Sequence, residues 1–358
     1  MTDEARPPLA VDGGTPLRTH PYPDAPALEP AGDAMPVATL EAEVAAFLGV
    51  GVEHVRAFGS HEEAYASALR AAGVTGGEVV VPTLLAEGFA AATRDLGARI
   101  VPGEVETDTA ALSARGLARA LSKATSAVVV AHAFGHPAAM AELLAIAKQR
   151  GVPIVEDASD ALGAAVRGVP VGTLGAAAVF ALGSGHALSS GGALLVAPNA
   201  STLDGAPMHD ADAALALAEL RALPATLEAR RRLAWELTFN VRGMRAIVGM
   251  PHGRWVRHAY DRYVIRLRSL LWKRSLADTI AALRAESVPC EAACGPSLHL
   301  DPAVRAALGE DERVAEAWFS AAGRLPDELI SIPLHPALTS KDMDQVASAL
   351  RKIERWST

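Results

Sequence analysis

Three residues in one stretch of the chain could move protons: Asp157, Asp160 and His186. A carboxylate beside an imidazole suits acid–base work near neutral pH, because an ordinary histidine titrates in that range. With His132 and His136 added, the same residue types could instead ligate a metal. Upstream, Gly59 and Ser60 stand directly before a helical pattern. Ser60 reads as an N-cap, with Glu63 as its capping-box partner. Gly191 and Gly192 read as conformational rather than ligand-binding. Cys290 and Cys294 make neither a zinc site nor a disulfide framework by themselves.

The elements that must position these groups are legible from apolar patterning. Residues 152–156 form a short apolar run, read as a buried parallel strand that delivers Asp157 at its end. In open α/β sheets that carboxyl edge is where ligands bind. A second apolar run, 176–182, leads into a Gly/Ser-rich loop carrying His186, and a third, 193–196, follows the paired glycines. Further strands are expected at 78–82, 99–102 and 126–131, with helices between them, the last over 138–150 and closed by Gly151. Such strand–helix alternation predicts an α/β fold with a mainly parallel, helix-covered sheet. Phe89 is expected in the core. A helix over 39–48 precedes this region. After it come a helix at 211–223, a strand at 262–268 and helices at 275–286 and 340–355. The proline-rich residues 1–36 read as an extended arm, 37–225 as a large domain and 226–358 as a small C-terminal α/β domain.

The bulk properties narrow the partners. The 358 residues are 50% hydrophobic, ample for a sizeable core. A net charge of −8 argues against nucleic acid or an anionic membrane as partner. Residues 221–245 are locally basic and read as a solvated helix face. No apolar run reaches membrane-spanning length and no signal pattern opens the chain, so a cytoplasmic location is expected.

The phrase Glu156-Asp157-Ala158-Ser159-Asp160-Ala161-Leu162-Gly163-Ala164 resembles the strand-end motif of the DegT/DnrJ/EryC1/StrS sugar aminotransferases, which use pyridoxal phosphate (PLP) on the fold-type-I architecture. Residues 9–18, 132–137, 295–300 and 332–339 resemble further phrases of that family. The resemblance implies a PLP-dependent transferase fold and a setting in amino-sugar or secondary-metabolite biosynthesis. It implies that Asp157 meets the pyridine nitrogen, with Asp160 beside it, and that backbone groups at Gly59 and Ser60 hold the phosphate. It also implies a dimer, homomeric or with an active paralogue, and a nucleotide-sugar or other small-molecule ligand. Aligned on the strand and the glycine pair, the serine of the family's S-F-x-x-x-K phrase falls on Ala181 and its Schiff-base lysine on His186. The ring-stacking aromatic falls among Thr83, Leu84, Leu85 and Ala86, and the long intersubunit loop is missing after Val196. These losses favour a degenerate member that does not transaminate and serves as a partner subunit or small-molecule binder, with weak or absent PLP or pyridoxamine phosphate (PMP). The alternative is a PLP/PMP-dependent dehydratase of a nucleotide-linked keto sugar with His186 as base. A lesser alternative is metal or other chemistry at His132, His136, Asp157, Asp160 and His186.

Overall fold

The chain's structure, a computed structural model, describes residues 8–183, 186, 188–251, 253–309, 311, 313 and 316–357. Residues 1–7 of the expected arm, and 184, 185 and 187 beside His186, lie outside these.

The first part of the chain runs α1 (Pro36–Leu48), β1 (Val55–Phe58), α2 (His61–Ala71), β2 (Glu78–Pro82), α3 (Glu87–Asp95), β3 (Arg99–Gly103), α4 (Ala114–Ala120), β4 (Thr125–Ala131), α5 (Met140–Gln149) and β5 (Ile154–Asp157). A small hairpin follows, β6 (Ala165–Val166) and β7 (Val169–Pro170), then β8 (Ala177–Ala181), β9 (Ala193–Val196) and the long helix α6 (Asp210–Asn240). The remainder comprises β10 (Ile247–Gly249), β11 (Val256–Arg257), β12 (Arg262–Leu267), α7 (Leu276–Ala285), β13 (Glu291–Ala292), α8 (Pro302–Leu308), β14 (Leu329–Pro333) and α9 (Ser340–Ser357).

Seven strands form the main sheet in the order β1-β9-β8-β5-β4-β2-β3. From β8 to β3 the neighbours are parallel, while the β9–β8 and β1–β9 pairs are antiparallel. Strands β2, β5, β8 and β9 are buried at every position, as strands covered on both faces must be. Their side chains alternate between two cores. In β8, Ala177, Val179 and Ala181 pack with α2–α5, and Ala178 and Phe180 pack with α1 and α6. Phe89 lies in the first core, fully buried. A second, antiparallel sheet has the order β10-β12-β14-β13 and buries its own core against α7 and α9. A third small sheet joins β11 to the β6–β7 hairpin.

Helix α6 departs from the expected 211–223 span. It continues through Pro224 to Asn240. A helix-interior proline removes a backbone donor and crowds the preceding turn. Here packing outweighs that cost: Leu217, Leu220, Leu223 and Leu227 lie in the core beside α1, and Leu233 and Leu237 lie in the core of the second sheet. The 225/226 junction thus falls inside one continuous helix that serves both cores.

From residue 8 the described part of the N-terminal segment is extended apart from one turn at Ala10–Asp12, and contacts at several points tie it down. The buried carboxylate of Glu286 accepts the N–H groups of Ala10 (3.0 Å) and Leu17 (2.8 Å) and pairs with Lys352 at 2.7 Å. Arg18 donates to Asp342 at 2.8 Å. Further along, Ala31 donates to the carbonyl of Ala214 on α6.

Candidate functional site

Strand alternation separates the two acids at the end of β5. Glu156 points into the protein, where it accepts backbone N–H groups from Gly172, Leu174 and Gly175 at 2.6–2.8 Å. His132 completes its shell. The Nδ1 of His132 accepts the N–H of Ala138, so its Nε2 carries the proton and donates to Glu156 at 2.9 Å. Burial opposes ionisation of Glu156, but these hydrogen bonds hold its carboxyl below the usual range. Asp157 faces the opposite way, into a cavity of about 230 Å³ lined also by Tyr65, Glu87, Gly88, Ser159, Asp160, His186 and Arg262.

A relay of hydroxyls leads to Asp157. Ser159 donates through Oγ to Asp157 Oδ1 at 2.6 Å, so the Tyr65 hydroxyl, 3.4 Å from that Oγ, is the donor in their contact. Burial pushes the Asp157 carboxyl up to about 6; Ser159 opposes the shift and the Asp160 charge adds to it. Tyr65 comes from the buried face of α2 and packs its ring on Phe89 at 4.5 Å between centroids. The ring occupies the space where a side chain at position 88 would stand, and this explains glycine there. Neither Tyr65 nor Ser159 stands out in the sequence, because each reads as an ordinary position in a local pattern.

Asp160 is the hub of a charge cluster. Its Oδ1 meets His186 Nδ1 at 3.2 Å and Arg262 at 3.1 Å, and its Oδ2 accepts the N–H of Phe134 at 3.2 Å. Phe134 holds a left-handed backbone (φ 57°) to make that contact, a strained choice that the neighbouring Gly135 (φ 87°) completes. Burial works against charge on Asp160 and on His186. Even so, the His186 contact and the Arg262 charge hold Asp160 below its ordinary range, and Asp160, with Asp261 and Asp157, holds His186 above its own. The imidazole is therefore biased toward its protonated form.

Beyond His186 and Arg262 opens a larger cavity of about 1010 Å³, between the N-terminal segment at Ala25–Leu28, helix α6 and the second sheet. It is lined by apolar groups such as Leu28 and Leu223 and by the charged groups Arg230, Asp261, Arg284 and Glu291. Along the basic stretch 221–245, Arg221, Arg232, Arg242 and Arg245 are exposed as a solvated face requires, and Arg230 departs from it. Arg230 is only 9% exposed, because its position turns it toward the second sheet, where Nε donates to the carbonyl of Leu334 at 3.1 Å. Its Nη1 lies 3.7 Å from Asp261 Oδ1, and neither atom has a hydrogen-bond partner among the described residues. Burial raises the Asp261 carboxyl to about 6, with Asp160 adding to the shift.

The proposed metal cluster does not form. No three metal-ligating side chains converge among the described residues. Both ring nitrogens of His132 are engaged with Glu156 and Ala138, and the ring of His136 stacks edge-on against His258. The cysteines are unpaired, and burial pushes the thiols of both up to about 12.

The Gly59–Ser60 turn is closed by the segment after β9. Gly59 donates its N–H to the carbonyl of Ala206 at 3.0 Å, and Phe58 bridges to Pro207. Ser60 caps α2 by accepting the N–H of Glu63 at 3.3 Å, but the reciprocal half of the expected capping box is absent. The Glu63 carboxylate instead accepts the N–H of Ala206 at 2.8 Å. The Ser60 hydroxyl donates to Glu62 at 2.6 Å.

The profile of the DegT/DnrJ/EryC1/StrS aminotransferase family matches residues 34–204 and 205–351. This chain belongs to that family. An L-glutamine:2-deoxy-scyllo-inosose aminotransferase of Streptomyces paromomycinus is 35% identical over 205 residues, covering 51% of this chain and 48% of the relative. The chain thus spans about half the length of the first curated relatives it matches. GDP-perosamine synthase of Caulobacter vibrioides is 26% identical over 331 residues, covering 85% of this chain and 86% of that one. Among solved structures, DesI in the presence of its TDP-sugar product superimposes with a TM-score of 0.83 at 25% identity, covering 97% of this chain and 96% of the other. The fold is the fold-type-I α/β architecture of the PLP-dependent sugar aminotransferases. No helix among the described residues is long and apolar enough to cross a membrane.

Proposed function

We propose that this family member binds a polyhydroxylated ring, of the amino-sugar or aminocyclitol class, in the 1010 Å³ cavity and does not transaminate. The observation that carries this reading is the buried ion pair of Arg230 Nη1 and Asp261 Oδ1 beside the cavity, its atoms 3.7 Å apart and without a hydrogen bond among the described residues. Buried polar groups left without partners are costly, so such a pair is built for something. A ring hydroxyl that opens this long contact would accept from the guanidinium and donate to the carboxylate, and several hydroxyls on one ring suit the remaining charged lining.

The absence of transamination is supported by where the amines lie. The chemistry needs a lysine to hold the cofactor and to carry the proton. The five lysines line neither cavity: Lys123, Lys148, Lys273 and Lys341 are exposed, and Lys352 is paired with Glu286. Asp157 suits the pyridine nitrogen of PLP, but the rest of the site does not fit the cofactor. The Gly59 N–H is already bonded, two acids open helix α2 where a phosphate would need positive potential, and Tyr65 reduces the cavity to about 230 Å³. Typical small-molecule pockets run roughly 300–1,000 Å³.

The dehydratase alternative, with His186 as base, needs the same cofactor and meets the same obstacles at Gly59, helix α2 and Tyr65. Pairing with a second copy or an active paralogue remains part of the proposal, read by the mass of the purified particle in light scattering.

The test has two arms. PLP and PMP are titrated against the purified protein by absorbance, and no saturable band is expected up to millimolar cofactor. A lasting band lost in Asp157→Ala would overturn the non-transaminating reading. Calorimetry with TDP-glucose and with a cyclitol probe, myo-inositol, should show saturable binding of at least one, weakened about tenfold in Asp261→Asn, the loss of one charged hydrogen bond. Binding of neither would sink the ligand assignment.

A further inference from the structure

A third cavity, of about 440 Å³, shares no lining residue with the two described above. It is formed where β11 pairs with the β6–β7 hairpin, with Val256 opposite Val166 and Arg257 opposite Ala165. Its walls are Arg167, Gly168, Arg254, Trp255, Val256 and Arg257.

The local conformation is unusual for the residue placed there. Arg167 and Gly168 form the hairpin turn, and both have left-handed backbones (φ 51° and 84°). Such two-residue turns ordinarily take Asn-Gly or Gly-Gly, because a long L side chain is strained at the first position. The turn is pinned by the Arg167 N–H, which donates to the carbonyl of Trp255 at 2.8 Å. An arginine held at a strained position points to a use for its guanidinium.

The charge is also uncompensated. Arg167, Arg254 and Arg257 are all exposed, and among the described residues none pairs with a carboxylate. Arg231, behind them on α6, donates to the carbonyls of His258 and Gly163 rather than to an acid. Burial, aided by the charge of Arg257, lowers Arg231 to about 10. Four arginines therefore gather without an ion-paired carboxylate among the described residues, on a chain whose net charge is −8. Trp255 stands beside them, 61% exposed, with the Arg254 guanidinium 5.4 Å from its ring centroid.

We propose that this cavity is a binding site for a phosphorylated small molecule, with Arg167, Arg254 and Arg257 holding its phosphate oxygens and Trp255 offering its ring to a flat group attached to them. Guanidinium groups match phosphate oxygens in pairs, and an aromatic face beside them suits a planar ring.

The experiment is calorimetry on the full chain with two probes, inorganic pyrophosphate and uridine diphosphate, at low and at high salt. Both should bind saturably and weaken with salt. The Arg254→Ala/Arg257→Ala double variant, its fold checked by circular dichroism, should lose at least tenfold for both probes. Trp255→Ala should leave pyrophosphate unchanged and weaken uridine diphosphate several-fold if the flat ring is part of the ligand. Absence of binding at millimolar pyrophosphate would overturn the proposal. So would binding that the double variant leaves unaltered, which would locate the anion elsewhere. A change of particle mass in Arg254→Glu/Arg257→Glu would also overturn it, because the patch would then be covered by protein.

Discussion

Replacing Asp157 by asparagine should stabilise the ligand-free protein at pH 8, and by less as the pH falls. Asparagine keeps the shape and can still accept the Ser159 hydroxyl, so the change removes chiefly a buried charge. Asp157 is 8% exposed, and burial raises its carboxyl from 3.8 to about 6. A carboxyl raised on folding binds its proton more tightly in the native state. The native state is therefore penalised wherever the group must be ionised. The penalty is fully present above the folded value, near pH 6, and vanishes below the unfolded value, near pH 4. Two units correspond to about 3 kcal/mol at pH 8, falling to roughly half of that at pH 5. The assay is thermal and urea unfolding of both proteins at pH 8 and pH 5 without ligand. A gain at pH 8 that shrinks at pH 5 is the expected result. A loss of stability at pH 8 in Asp157→Asn would refute the reasoning, since it would mean that the charge is compensated in the free protein.

Other perturbations follow from the same geometry. Lys352→Met leaves the Glu286 carboxylate buried without its cation and should cost about 3–5 kcal/mol, read by urea unfolding, with the N-terminal segment becoming sensitive to protease. Tyr65→Ala removes a buried ring packed on Phe89 and should cost about 3–5 kcal/mol, whereas Tyr65→Phe, losing only a 3.4 Å contact, should cost less than about 1 kcal/mol. Gly135→Ala would place a Cβ 2.9 Å from the Asp160 carbonyl and 3.0 Å from the Tyr260 nitrogen at a left-handed backbone; a loss of at least about 1 kcal/mol in unfolding is expected. Binding of a polyol in the large cavity should weaken as the pH falls through about 6, because the Asp261 carboxyl then ceases to be a pure acceptor; calorimetry at pH 7.5 and 5.5 reads it.

Much of the fold was legible because its signals are local. A strand buried on both faces must be apolar throughout, and a helix between such strands must cover them, so the runs at 152–156, 176–182 and 193–196 can be read without a structure. The delivery of Asp157 and His186 to one edge follows from the same pattern. The end of α6 was not legible. Pro224 is a genuine local stop signal, and only the packing of leucines on two separate cores carries the helix past it.

What the sequence by itself determined is the scaffold and the carboxylate at the strand end. These depend on residue identity and short-range period. Tertiary structure alone decided what surrounds them. Tyr65, Arg230, Asp261 and Arg262 reach the site from distant segments, and no local pattern brings them together. The Gly59–Ser60 turn makes the same point: its residues suit a phosphate, but the segment after β9 folds back and takes the Gly59 N–H. A backbone donor offers one hydrogen, and whether it is free depends on which distant carbonyl packs against it.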